Sequence, residues 1–435
     1  RILNVVKDRQ PISLGDFEIK MIPVTHSVPD TKHLIIKTPL GNIYHGSDFK
    51  FDWTPVGQEL PDIQSMTRAG AEGVVLLLSD CLRSEKNGYS LSEAIVEDSF
   101  EREFRGEENR IVVTTMSSNI SRIQQALWVA KRNGRKVAFV GFSVERNVKV
   151  AAELGFLTIP PRLVVDKRKI STLPKDEQCL IIAGSQGQMG SSLERIATGD
   201  HKAVTLDPGD KVIFSADPIP GNESNVYRLI DLLSRHGMGV SYSDISSDLH
   251  VSGHASAKEI MMLIAMTKPK YAWPTGGTHR HNIQFSKLAG EMGVSLDHVM
   301  MPENQAVIIE PGGHVRLGET INLKNVYVES GLITEADEHI MDRKMMFQEG
   351  VVVVVISTTK QTGKLEIDII PRGITTQIDS QAFTDIKLEF ASIMDVQDMT
   401  RDRLYSKDRV AKEMSRLFIK HVGKNPVVIP IIIEE

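Results

Sequence analysis

Two cysteines, Cys81 and Cys179, are all that this 435-residue chain carries. They make neither a disulfide framework nor a zinc knuckle, so a reducing cytoplasm is the default setting. Long apolar runs are scarce too. The longest, VVVVVI (351–356) and VVLLL (74–78), fall far below the roughly 20 residues a membrane-spanning helix needs, and no signal-peptide pattern follows Arg1. A surplus of positive charge is also missing: 51 Lys+Arg against 56 Asp+Glu leave a net charge of −5. That excludes a basic coat for nucleic acid, but not a locally basic channel that holds one strand. Internal repeats, low-complexity linkers and the metal-binding cluster H-x-H-x-D-H are absent as well.

What is present is ordinary globular material, 41% hydrophobic and 25% charged, long enough for two or three domains. Residues 1–60 read as β-rich, with short runs such as FEIKMIPV, HLIIKT and NIYHG between polar turns. GVVLLLSD (73–80) predicts a buried strand that ends on a carboxylate. Strand and helix then alternate: RIVVTT (110–115), a helix over 118–134, KVAFVG (136–141), NVKVAAELGFL (147–157), QCLIIAGS (178–185), KVIFSAD (211–217) and a helix over 225–237. Such alternation predicts a mostly parallel sheet. A helix over 253–269 and a strand over 271–275 follow. From 349 the chain predicts a compact α+β tail with a helix over 404–423 and a last strand, VVIPIIIEE.

Chemistry concentrates at strand ends. His26 in PVTHSVPD (23–30) and Asp48 in GSDFKFD (46–52) each follow a short apolar run. Imidazole and carboxylate are donors that a borderline-soft divalent cation prefers. Each also has a plain structural reading, a hydrogen-bonded histidine and a turn aspartate. HVSGHAS (250–256) adds two histidines in a small-residue loop before a helix. Ser252 and the N–H groups of Gly253 and His254 would sit at that helix's N-terminus as an anion site, with Gly253 admitting a phosphate closely. The bland alternative is that Ser252 caps the helix.

Taken in order, THSVPD, GSDFKFD, LLSDCLRSE (77–85), TTMSSNISRIQQ (114–125), GSQGQMGSSLERIATGDH (184–201), SADPIPGNE (215–223), HVSGHAS and PTGGTHRH (274–281) resemble the landmarks of the ribonuclease J family. TGKLEIDIIPRG (362–373) and the last 21 residues (415–435) resemble that family's C-terminal domain. The resemblance implies an α/β fold: an αββα metallo-β-lactamase-like domain (1–90 and 246–330, lacking its N-terminal part), an inserted β-CASP domain (91–245) and a small α+β C-terminal domain (331–435). It implies a zinc-dependent ribonuclease, 5′→3′ exonucleolytic with endonucleolytic cutting as an open second activity, with two Zn2+ per complete site, other divalent cations being alternatives. Single-stranded RNA would be the substrate, and a homodimer or homotetramer would form through the C-terminal domain, with no membrane involved. His26 and Asp48 would be metal ligands, Asp48 bridging the two ions. His254 would stabilise the reacting phosphate or protonate a leaving oxygen, and Asp80 would orient. His250, Val251, Ser252, Gly253 and His254 would grip phosphates, and Ser118 and Asn119 would contact the terminal nucleotide. The Gly-rich turn over 184–190 reads either as a further phosphate contact or as a plain turn.

Two departures bear on activity. The family's H-x-H-x-D-H ligands would lie upstream of Arg1, in a segment on the order of 130–150 residues for a domain of this kind. The expectation is that this chain alone is inactive. Where the family pattern has P-x-H-G-E, this sequence reads Pro274-Thr275-Gly276-Gly277-Thr278, so Gly276 takes the position of a histidine ligand. Strand alternation would point His279 and His281 the same way as possible substitutes, or they are ordinary packed histidines. The alternative function is a catalytically impaired RNA-binding or partner subunit of the same fold.

Overall fold

The computed structural model describes residues 4–6, 9–323, 326–329, 332–334, 337–358, 365–374, 380–394 and 403–434. They divide into two compact units, Arg1–Ile321 and Asn322–Glu435. Residues 362–364, part of the expected strand motif TGKLEIDIIPRG, lie outside the described residues.

The first unit opens with β1 (Ile12–Leu14), β2 (Phe17–Pro23), β3 (Lys32–Thr38) and β4 (Gly41–His45), an antiparallel ladder. Helix α1 (Ile63–Glu72) carries the chain across to β5 (Val74–Asp80), parallel to β4. Asp62 caps α1, its side chain accepting from the Ser65 N–H, which satisfies one of the open donors of the first turn.

After β5 the chain leaves this sheet and builds a second one. In order come α2 (Ile95–Phe104), β6 (Ile111–Thr114), α3 (Ile120–Arg132), β7 (Lys136–Val140), α4 (Phe142–Glu153), β8 (Gln178–Ile182), α5 (Ser192–Ala197), β9 (Lys211–Phe214), α6 (Glu223–Arg235) and β10 (Gly239–Ser241). The sheet order is β10-β9-β6-β8-β7, all pairs parallel. Every residue of β6 and β8 is buried, as expected of strands covered by helices on both faces. The chain then returns through α7 (Ala257–Thr267) to β11 (Pro269–Thr275), which pairs with β5 in parallel register from Val74↔Pro269 to Asp80↔Thr275. The first sheet thus reads β1-β2-β3-β4-β5-β11, with the parallel-sheet region inserted between two adjacent strands. Helix α8 (His279–Glu291) and a hairpin of β12 (Gln305–Glu310) and β13 (His314–Thr320) complete the unit. Val315 of the hairpin packs on Leu76 and Tyr271.

The second unit centres on Val351–Thr358, paired antiparallel to Leu365–Arg372 and parallel to Val427–Glu434. Val352, Val354 and Ile356 point to one face and meet Ile386 and Phe390 of helix Ser380–Ile393 and Met414, Leu417 and Phe418 of helix Arg403–Val422. Each such buried side chain contributes roughly 1.5–3 kcal/mol, so alternation along VVVVVI alone selects the packed face.

Two sequence expectations need correcting. The helix expected over 253–269 begins at Ala257: Ser256 is its N-cap, in a capping box with Glu259. Helix α8 was not expected, because its opening HRHN carries no apolar periodicity. It places His279 and His281 on a helix, where the proposed strand alternation does not apply.

Candidate functional site

Strands β2, β4, β5 and β11 run in one direction, since β3 is antiparallel to both β2 and β4 while β5 and β11 are parallel to β4. Their C-terminal ends therefore share one edge of the sheet, the edge where α/β folds bind ligands. His26 follows β2, Asp48 follows β4, Asp80 ends β5, and Gly276 follows β11. The loop returning from the insertion brings His254 to the same edge.

One nitrogen, oxygen or sulfur donor from each of His26, Asp48 and His254 lies within 4.8 Å of the other two. The two imidazole rings stand edge to face with centroids 5.0 Å apart, and His26 Nε2 lies 4.0 Å from Asp48 Oδ2. Each histidine is held from behind. His26 Nδ1 hydrogen-bonds the Gly253 carbonyl at 2.7 Å, and His254 Nδ1 bonds Asp80 Oδ2 at 2.7 Å. A carbonyl can only accept, so His26 Nδ1 carries the proton and its Nε2 is an acceptor that faces Asp48 and takes the Ser27 hydroxyl hydrogen bond at 3.1 Å. Asp80 is buried, and its other oxygen accepts the Leu82 N–H at 2.9 Å. Burial pushes the His26 pKa down, an effect that the Gly253 bond and the Asp48 charge oppose only in part. For His254 burial also acts downward, but the hydrogen bond to Asp80 and the charges of Asp80 and Asp48 win, and its pKa is raised.

Beside this cluster opens a cleft of about 520 Å³, lined by His254, Ser27, Ser118 and Met116 among others. His250, Val251, Ser252 and Gly253 line it as well. The structure therefore gathers into one cleft all seven residues expected to touch RNA.

Sequence comparison agrees with this geometry along the chain. Residues 108–233 match the β-CASP domain of ribonuclease J, 338–435 its C-terminal domain, and 243–302 the Zn-dependent metallo-hydrolase RNA specificity domain. Ribonuclease J2 of Bacillus subtilis is 31% identical, the match covering 99% of this chain and 79% of that protein. Ribonuclease J of Mycolicibacterium smegmatis is 32% identical over 99% of this chain and 77% of its own length. The Synechocystis ribonuclease J is 36% identical over 83% of this chain, which spans 56% of that relative. The chain belongs to the ribonuclease J family. Its fold is accordingly α/β, a metallo-β-lactamase-like core with an inserted β-CASP domain and an α/β C-terminal domain, and His26, Asp48 and His254 are a candidate metal site within it.

In this ribonuclease J relative the anion site expected at a helix N-terminus is not formed by Ser252, Gly253 and His254. Helix α7 starts later, and its first donors are already used: Ala257 N–H bonds the Lys86 carbonyl and Lys258 N–H bonds that of Gly88. Ser252 Oγ instead accepts the His254 N–H at 3.1 Å. The glycine at 253 answers to packing as well as to any phosphate, since a Cβ there would lie 2.8 Å from the Ser27 backbone nitrogen. Gly187, in the Gly-rich turn, likewise sits against backbone, where a Cβ would meet the Asn225 carbonyl at 2.4 Å.

Asn119 is the N-cap of α3, its Oδ1 accepting the Arg122 N–H at 3.0 Å, whereas Ser118 remains half-buried in the cleft. His250 pairs with Asp217 at 2.9 Å. Neither His279 nor His281 replaces a ligand at Gly276. His281 is buried and completes the capping box of α8 with the N-cap Thr278, its Nδ1 accepting the Thr278 N–H at 3.0 Å, and His279 is exposed in the same turn. Gly276 itself stands at the site, its φ of 78° outside the range side chains favour, with a built Cβ 3.9 Å from Asp80 and 4.0 Å from Asp48.

The sequence reading missed a buried polar network behind the loop. Arg122 is fully buried, its Nε donating to Glu93 at 2.6 Å and its Nη1 to the Ser215 carbonyl at 2.8 Å. Nη2 reaches the Val251 carbonyl at 3.4 Å. Lys50 and Asp52 form a further buried pair at 3.2 Å, with Glu93 4.0 Å from Lys50. The signal was available: Arg122 lies one helical turn before Ala126, on the apolar face of α3.

Proposed function

We propose that this chain contributes to metal-dependent phosphodiester hydrolysis of single-stranded RNA, as part of a cytoplasmic 5′→3′ exoribonuclease for which internal cutting is a second activity to be tested. The observation that carries the reading is the pair of back-held imidazoles. His26 and His254 each spend Nδ1 on an oxygen acceptor, which orients the ring and fixes which nitrogen faces the Asp48 carboxylate. Two nitrogens and one carboxylate oxygen suit zinc with an open position, so the donor set fits one ion. The second zinc that the resemblance implies needs donors beyond these three.

A divalent cation bound there supplies Lewis-acid polarisation of a phosphoryl oxygen and a nucleophile usable near neutral pH. His26 and Asp48 hold it. Asp80 keeps the His254 ring aimed into the site, where His254 completes the donor set or hands a proton to the leaving oxygen. The loop 250–254 and Ser118 line the cleft for RNA phosphates and the terminal nucleotide. Grip through the backbone rather than the bases suits an enzyme that must accept every sequence. Ile429, Ile431 and Ile433, exposed along one strand, support self-association through the C-terminal domain as a dimer or tetramer.

Zinc titration of the metal-free chain, followed by mass spectrometry and by release of 5′-phosphorylated RNA products, tests the reading. One tightly held zinc, lost in His26→Ala, is the expected result, and no zinc bound to the unaltered chain sinks it. A second reading, an RNA-binding subunit without catalysis, is favoured by Gly276, which brings no donor to a position at the site. Chelator-insensitive RNA binding with no hydrolysis by a zinc-loaded chain would select it.

A further inference from the structure

Three arginines line the cleft, and they differ in one respect. Arg122 is paired with Glu93 and Arg280 with Glu85, each at 2.6 Å. Arg83 has no ion pair or side-chain hydrogen bond among the described residues, and its Nε is buried without a partner. Its charge is felt at His254 and at Asp217, so the guanidinium belongs to the same electrostatic neighbourhood as the candidate metal site. A half-buried guanidinium left unsatisfied in a cleft is suited to an oxyanion, because its planar fork matches two phosphate oxygens.

Arg83 also borders a second hollow of about 220 Å³, which shares His250 and Ser252 with the main cleft. Tyr89 lines that hollow and is 63% exposed. The chain under Tyr89 is anchored to the site: Ser90 N–H donates to Glu259 at 2.7 Å and Ser90 Oγ donates to the His254 carbonyl at 2.6 Å. An exposed aromatic ring on a tethered segment, next to an unpaired guanidinium, offers a stacking face and a phosphate ligand side by side.

We propose that Arg83 and Tyr89 form a nucleotide subsite beside the candidate metal centre, Arg83 binding a phosphate and Tyr89 stacking on a base of the same RNA strand. The subsite rests on the RNA-cleaving reading above. It adds two contacts outside the 250–254 loop and outside the metal donors, and it separates the charge-dependent part of binding from the charge-independent part.

The test is binding of a fluorescein-labelled ten-nucleotide single-stranded RNA to the full chain in EDTA, by anisotropy over a series of salt concentrations. Arg83→Gln is expected to flatten the slope of log affinity against log salt by about 0.7, the contribution of one phosphate contact to a single strand. Tyr89→Ala is expected to weaken binding roughly 5- to 100-fold with the slope unchanged, and Tyr89→Phe to bind as the unaltered chain does. Thermal melting of each variant separates lost contacts from lost folding. Variants that melt normally and bind with unchanged affinity and slope overturn the subsite while leaving the ribonuclease reading intact. An Arg83→Gln variant that loses affinity at constant slope removes the phosphate assignment. Failure of the unaltered chain to bind RNA removes the subsite and the RNA-cleaving reading together.

Discussion

The interior of the six-stranded sheet and the inserted parallel-sheet region offer two ways of burying a polar side chain. Inside the first, the buried histidine His33 is held neutral, its Nδ1 2.9 Å from the Tyr44 hydroxyl, and burial pushes its pKa down to about 3. Beneath the second, charges are buried as pairs: Arg122 with Glu93, and Arg110 with Asp210 at 2.6 Å. Burial acts upward on Glu93, yet the charge and hydrogen bond of Arg122 hold its pKa below the usual carboxylate range. A neutral group needs only one partner and tolerates a sheet interior. A charged one needs a network, and that network is what ties the insertion to the 250–254 loop.

Breaking the charged side of this contrast should have the largest effect. Arg122→Met strands the Glu93 carboxylate and is expected to cost about 3–5 kcal/mol in urea unfolding of the full chain. Adding Glu93→Gln should restore much of that loss. If the single variant is as stable as the parent, the network is not what holds the loop.

The pH dependence sharpens the comparison next. The folded pKa of His33 lies below its unfolded value of about 6.5, so the unfolded chain takes up protons first. Stability is full above about pH 6.5 and falls as pH drops toward 3, by about 2 kcal/mol at pH 5. Glu93, with a depressed folded pKa, contributes fully above about pH 4.5 and loses its contribution only below that. Acid should therefore weaken the six-stranded sheet before the insertion, as amide exchange resolved by region can measure. His33→Gln should remove the loss between pH 6.5 and 5, and an unchanged loss would assign it elsewhere.

Smaller effects belong to the sheet edge. Asp80→Asn leaves the fold in place and should weaken zinc binding about tenfold in competition with a chromophoric chelator, since His254 loses the carboxylate that holds its ring. Equal affinity would show that His254 needs no such support. Gly276→Ala should cost only about 1 kcal/mol, through its φ of 78° rather than through a clash, and should leave zinc affinity unchanged. A large change in zinc affinity would mean that Gly276 shapes the donor cluster.

Residue by residue, the fold was largely legible. Runs such as RIVVTT and QCLIIAGS have continuous apolar centres without alternation and became the fully buried strands β6 and β8, because a parallel sheet covered on both faces has no polar side to display. Helix α8 was illegible for the converse reason: its first turn is polar, and the partner that completes the Thr278 capping box is His281, where Glu or Gln is the usual signal. The glycine at 253 was legible as a close approach but not as an approach to Ser27, a neighbour more than two hundred positions away in sequence.

For the candidate site, the sequence alone determined which side chains stand at strand ends, because short apolar runs that stop at His26, Asp48 and Asp80 are local features. It also carried the family, through many short motifs kept in order. Tertiary structure decided which ends meet. That depends on β2, β4, β5 and β11 sharing a direction, and on the insertion returning its chain beside β5 so that His254 reaches the same edge. It also decided that Arg122 is paired and that Arg83 has no ion pair among the described residues, a difference that no local pattern encodes because the partner of Arg122, Glu93, comes from a different segment.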